Sequence, residues 1–382
     1  MVPPPRLVSL DKAISWVIAR ASPLAAETVR SASACHRVLA EEIRLAQPIP
    51  ITDRAALDGF AVAASATVGA TSYNPLFLPL HAISAGDPMP PGSDAVIPLQ
   101  LGQPRPPDAV ECVEALAPGE NVEALGSIGA RGALVSAAGA QLSAPHVGML
   151  IAAGFASVEV VGRPMVRIVV APGSATTDTN GPMIRALVER DGGVVADSVS
   201  VERSRQGILC ALDVEGADVV LVIGGTGPGT DDHAAAALSN AGELAIHGVA
   251  FRPGETSGLG RAHNGAPVML LPGSPVACLF SYEMLAGRAI RRFGGRNPAL
   301  PHRSRVMRTA RKIVSAIGLT EIFPVSCGSG RDMAEPLPSF GEAGLMAVVA
   351  ADGFVIVPEA SEGHPQGASV TVYLYEGSRI GG

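Results

Sequence analysis

Lysine is nearly missing from this chain: the only ones are Lys12 and Lys312. No lysine stands mid-chain to form a Schiff base or to hold phosphate in a Walker-type loop. Aromatic residues make up 4% of the chain, too few for a stacking platform for bases. The net charge of −7 argues against a general nucleic-acid binder. The five cysteines, Cys35, Cys112, Cys210, Cys278 and Cys327, are far apart, and no CxxC occurs. An odd, unclustered set fits reduced thiols in a cytoplasmic protein. The eight histidines are scattered without HExxH spacing, which argues against zinc. No apolar run reaches the length of a membrane span, and MVPPPRLVSLDKA lacks the apolar segment of a signal peptide, so no membrane role is expected.

Glycine (44) and proline (32) are plentiful, and 47% of the 382 residues are hydrophobic. That combination describes several globular domains with many turns. Residues 9–20 read as a capped amphipathic helix with Leu10, Ile14, Val17 and Ile18 on one face. Cys35–Glu42 reads as a second short helix. Residues 51–135 alternate short strands, such as Asp94–Leu99 and Ala109–Glu114, with Pro/Gly turns. From Val166 onward strands and helices alternate. Strands Val166–Ala171, Val194–Val201, Val219–Ile223 and Val268–Leu271 are separated by helices Gly181–Arg190, Arg203–Leu212 and Asp232–Asn240, with Pro275–Phe293 last. Continuous apolar strands between helices indicate a mostly parallel, doubly covered sheet, whose ligands sit beyond the strands' carboxyl ends. Three loops meet that condition: Pro172–Asn180, Gly224–Asp232 and Pro272–Pro275. Short strands return after residue 300, for example Phe354–Val357 and Ser369–Leu374.

The stretch Asp218–His233, DVVLVIGGTGPGTDDH, carries the strongest signal. An apolar strand runs into Gly224, Gly225, Gly227 and Gly229, then into Asp231 and Asp232. Such a turn gathers backbone N–H groups around an anion, although a glycine turn also serves simply as a tight connection. The two carboxylates suit either a divalent metal or a helix cap. Asp178 and Asn180 stand at the same sheet edge, with helix capping as the alternative. Pro272, Gly273 and Ser274 open the last helix and add exposed N–H groups to the same rim. Arg252 lies between glycine loops and suits an oxyanion contact, or solvent. Asp58 sits in an apolar setting next to Gly59, where a plain Asp-Gly turn is the simpler reading.

In order along the chain, RAALDGFA (54–61), SAGDPMPPGSDAVI (84–97), NVEALGSIG (121–129), APGSATTDTN (171–180), GGTGPGTDDH (224–233), RPGE (252–255) and LPGSPVA (271–277) occur. This series resembles the molybdopterin molybdenumtransferase family, which includes MoeA and the E domain of gephyrin. The family patterns are NSAMDGYA, TGAxxPxGADAVV, NxRxxGEDI, STGDEL…DTN, GGVSVGxxDY, KPGKP and LPGNPVS.

The resemblance implies a multi-domain α/β protein. A helical linker domain would take residues 5–46 and 136–164, with an inserted β domain at 47–135. A MogA-like parallel-sheet α/β domain would take 165–298 and a C-terminal β barrel 299–382. It also implies a homodimer, a pterin ligand, Mg2+, and adenylylated molybdopterin and molybdate as substrates. Molybdate would be inserted with release of AMP, for a client molybdoenzyme. Asp58, Asp232 and Arg252 match catalytic positions. Asp178, Asn180, Gly224, Gly225, Gly229, Pro272 and Gly273 match ligand-binding ones; Gly173, Gly227 and Ser274, in the same loops, are further candidate ligand contacts, and Asp232 with its neighbour Asp231 is the metal candidate.

Several positions depart from the family. Ile128 replaces an aspartate, Ala277 a serine and Glu255 a cation, which would repel molybdate by roughly 1–3 kcal/mol if close and partly buried. A paralogue that only binds or carries molybdopterin or the finished cofactor is therefore the alternative reading.

Overall fold

The computed structural model describes residues 7–173, 177–212, 215–328, 332–338 and 343–377. Its contacts divide the chain into two units, Met1–Glu27 with Val161–Gly382, and Thr28–Val160.

The first unit is built on a six-stranded sheet ordered Val194–Ser200, Met165–Val170, Val219–Ile223, Pro267–Leu271, Gly258–Ala262, Gly242–His247. The first four strands are parallel, and the last two are added along one edge by antiparallel pairings. That antiparallel edge was not legible in the sequence. Val219–Ile223 and Pro267–Leu271 are buried at every residue, because helices cover both faces. Arg205–Leu212 and Ala234–Ala241 pack on Val169, Val222 and Leu270. On the opposite face Ile184, Val188, Phe280 and Ile290 pack on Ile168, Leu221 and Met269. The helix Leu10–Arg20 buries Leu10, Ala13 and Val17 in this same core, so the expected linker segment 5–46 is divided between the two units. Ser9 stands at its N-cap without a side-chain hydrogen bond, against the capping expected.

The run Pro275–Phe293 is interrupted by a π-helical turn at Tyr282–Ala286. A buried ionic network lies there. Arg190 Nη1 is 2.6 Å from Glu283 Oε1, Arg291 Nη1 is 2.6 Å from Asp191 Oδ2, and His302 Nε2 is 3.4 Å from Glu283 Oε2. Burial would raise the Glu283 pKa, but His302 and Arg190 overcome it and lower the value to about 2.

In the C-terminal region five strands close into a barrel: Thr320–Cys327, Met333–Pro336, Arg303–Thr309, Ser369–Leu374 and Gly353–Val357. Closure removes the sheet edges. A helix not anticipated from the sequence, Ala343–Ala350, belongs to the same region.

The second unit contains two three-stranded sheets. One is ordered Leu76–Pro79, Ala109–Cys112, Gly102–Arg105; the other is Ala82–Ile83, Gly59–Val62, Ala95–Pro98. Its helix is Ala144–Ala152. Cys35–Glu42 is not helical. His36 has a positive φ of 66°, and Val38 and Leu39 bridge to Gln141 and Val160, which requires an extended backbone.

Candidate functional site

From the central sheet the chain runs first to Val194–Ser200 and then back across Met165–Val170 to Val219–Ile223. The carboxyl ends at this reversal are where such sheets bind ligands. A cavity of about 700 Å³ opens there, within the range of small-molecule sites.

Its loops are stitched together by hydrogen bonds. Ala171 N–H donates to Ile223 O at 2.9 Å, and Gly224 N–H to Leu271 O at 2.9 Å. Asn180 Nδ2 donates to Gly273 O at 2.8 Å. Thr226 Oγ1 and Thr256 Oγ1 are 3.0 Å apart, tying the glycine turn to the Arg252 turn. Gly224 (φ +90°) must be glycine, since a Cβ there would lie 2.5 Å from Ala171 O. Gly225 and Thr226 are buried, yet their N–H groups, and that of Gly227, have no acceptor among the described residues. Buried backbone donors are normally paired, so this row reads as an anion cradle.

Gly173, Asp178, Asn180, Gly224, Gly225, Gly227, Pro272, Gly273 and Ser274 all line the cavity, as do Asp232, Glu255 and Ala277. Ser174 and Ala175, in the first loop, lie outside the described residues. Asp178 Oδ1 accepts the N–H groups of Asn180 (3.0 Å) and Gly181 (2.9 Å), so it caps the helix start while facing the cavity. Asn180 Oδ1 is buried without a hydrogen-bond partner.

Other expected residues stand elsewhere. Gly229 is off the cavity wall, and its N–H donates to Asp232 Oδ2 at 3.1 Å. The helix expected from Asp232 begins at Ala234, so Asp232 braces the glycine turn instead of capping that helix. Asp231 is exposed, and only Asp232 of the pair reaches the cavity. Arg252 also does not line it. It pairs with Glu255 Oε1 at 2.6 Å and Glu321 Oε1 at 3.4 Å, and the Glu255 bond raises its pKa. The turn thus presents Glu255 and Thr256 to the cavity in place of a cation. Asp58 belongs to the other unit, where its Oδ1 accepts the Ala85 N–H at 2.8 Å. Gly59 beside it is fixed by close approach, as a Cβ would meet Ile97 O at 2.1 Å. Ile128, in that unit, is exposed. Cys278, behind the last loop, is no reactive thiol: burial, then the charge of Asp178, pushes its pKa far up.

No group of three or more His, Cys, Asp or Glu forms a metal-ligand set among the described residues. Of the carboxylates lining the cavity, Asp232 and Glu255 have both oxygens engaged and Asp178 has Oδ1 engaged. Asp232 binds Arg203 and Gly229 N–H, Asp178 binds two N–H groups, and Glu255 binds Arg252 and Gly254 N–H. These residues do not fit a protein-built magnesium site.

Two lining residues escaped the sequence reading. Arg203 follows the strand Val194–Ser200, a fourth carboxyl-end loop that the same rule points to. Leu345 comes from the unanticipated helix Ala343–Ala350, and no pattern in its segment marks it.

Three family models match in succession: the MoeA N-terminal region (domain I and II) over residues 8–154, a probable molybdopterin binding domain over 157–292, and the MoeA C-terminal region (domain IV) over 306–375. The chain belongs to the MoeA family. Relatives of this MoeA-family chain include a molybdopterin molybdenumtransferase 2 of Mycobacterium tuberculosis. It is 28% identical over 341 residues, covering 73% of this chain and 84% of that protein. A molybdopterin molybdenumtransferase of Staphylococcus aureus is 26% identical, covering 97% and 96%. Two structures of the molybdopterin biosynthesis MoeA protein of Pyrococcus horikoshii match with TM-scores of 0.76 and 0.73. They are 26% and 25% identical, and each match covers 97% of this chain and 100% of that one.

Proposed function

We propose that this chain acts in molybdenum cofactor biosynthesis. Adenylylated molybdopterin and molybdate enter; the molybdenum-loaded pterin and AMP leave. The observation that carries the reading is the row of unpartnered N–H groups at Gly225, Thr226 and Gly227, inside a cavity at the sheet's switch point. Such donors hold phosphate and stabilise charge that develops on it as the anhydride breaks. Asn180 Oδ1, buried and unpartnered, is left to accept an N–H from a heterocycle such as the pterin. The relatives named molybdopterin molybdenumtransferase support the substrate. Magnesium, implied by the resemblance, finds no ready ligand set, and the reading routes no step through it.

The proposal extends to what the resemblance implies: the four-domain division, a homodimer in which Asp58 serves the reaction, a cytoplasmic location and delivery to a client molybdoenzyme. Among the described residues no helix is long and apolar enough to cross a membrane. One observation favours the carrier alternative, namely that the Arg252 turn offers the cavity Glu255 rather than a cation.

The test mixes the full chain with adenylylated molybdopterin and molybdate, with and without magnesium. It follows AMP release and the activation of a cofactor-free molybdoenzyme. Both products are expected. Tight binding with neither product would establish the carrier reading, and absence of binding would defeat both.

A further inference from the structure

We infer that Arg203 supplies the positive charge of the phosphate seat, and that ligand binding there needs no divalent metal. The inference rests on the reading that this cavity takes a phosphate-bearing ligand.

Arg203 is the only basic side chain among the described lining residues, against three carboxylates. Its guanidinium spans two loops. Nη2 donates to Asp232 Oδ1, Nε donates to Asp231 O at 3.2 Å, and a Cβ on Gly173 would lie 2.9 Å from Nη1. Gly173 is therefore the residue that leaves room for the fork. Among the described residues Nη1 has no acceptor.

Asp232 has both oxygens engaged, one on Arg203 and one on Gly229 N–H. A cation binding that carboxylate would have to displace the guanidinium. Geometry thus places a fixed charge where a metal would otherwise bridge carboxylate and phosphate. A guanidinium matches phosphate oxygens with paired donors and stays charged at any working pH. Asp232 is then a positioning residue that aims Arg203 and braces the glycine turn. The consequence for specificity is that the seat takes a phosphate group free of metal.

The probe is AMP, titrated calorimetrically into the full chain, once with chelator and once with magnesium. Wild-type affinity should be the same in both. Arg203→Met should weaken AMP binding about tenfold or more in both, and Arg203→Lys should recover part of it. Asp232→Asn should weaken AMP binding, but less than Arg203→Met does, since the amide keeps one acceptor oxygen while the charge that aims the guanidinium is gone. Circular dichroism confirms that each variant folds. Binding that appears only with magnesium, or is lost in Asp232→Asn but kept in Arg203→Met, overturns the inference and leaves the proposed function standing. No AMP binding under either condition also overturns the inference, while the proposed function is decided by its own assay with adenylylated molybdopterin.

Discussion

Gly224 and Gly225 separate two costs that usually arrive together. Both have positive φ, +90° and +67°. At Gly225 an added Cβ would meet nothing closer than 3.7 Å, so alanine there costs only the left-handed backbone, about 1 kcal/mol. At Gly224 the same Cβ would lie 2.5 Å from Ala171 O, and φ is further from the left-handed minimum. Relief requires moving the end of the strand Met165–Val170, whose next residue donates to Ile223 O. Strain of 1–3 kcal/mol plus about one hydrogen bond gives roughly 3 kcal/mol in total. Trp16, the only tryptophan, packs on the core of this same unit, so its emission in a urea titration reads the unit's unfolding. Gly224→Ala should lower the midpoint about three times as far as Gly225→Ala. Equal shifts for the two variants would show that the Ala171 approach does not constrain the turn.

Other outcomes follow from the same geometry. Glu283 has its pKa lowered from 4.5 to about 2, so its contribution is fully present above pH 4.5 and is lost as pH falls toward 2. It amounts to about 3 kcal/mol, and acid titration of Glu283→Gln should show that much less pH dependence across this window. Replacing Arg190 with Met should destabilise the fold by about 3 kcal/mol, because it leaves the buried Glu283 charge with His302 alone; thermal unfolding checks this. Glu255→Lys should raise molybdate affinity by about tenfold, measured by calorimetry, since Glu255 lines the cavity; an unchanged affinity would place the anion elsewhere. Asp178→Ala should cost about 1–2 kcal/mol through the lost bonds to Asn180 and Gly181, read in the same urea assay.

The sequence by itself determined the α/β core and most of the cavity wall. Val219–Ile223 and the other fully apolar strands admit only burial on both faces, and the glycine turn after such a strand marks its carboxyl end. Local chemistry was enough for that, because strand character and turn glycines are written within a few residues. Tertiary structure decided which side chains face inward. Arg252 and Glu255 sit three residues apart in one turn, and the ion pair to Glu321, far along the chain, holds Arg252 away while Glu255 lines the site. Asp231 and Asp232 are adjacent in sequence, yet Gly229 and Arg203 select one of them for the cavity. Arg203 carries no motif; it matters only because its loop, two strands away in the sheet, reaches across to Asp231 and Asp232 after the glycine turn. The leading helix and Leu345 enter the same unit through contacts between distant segments. No local pattern encodes such contacts, because they exist only once the sheet has assembled.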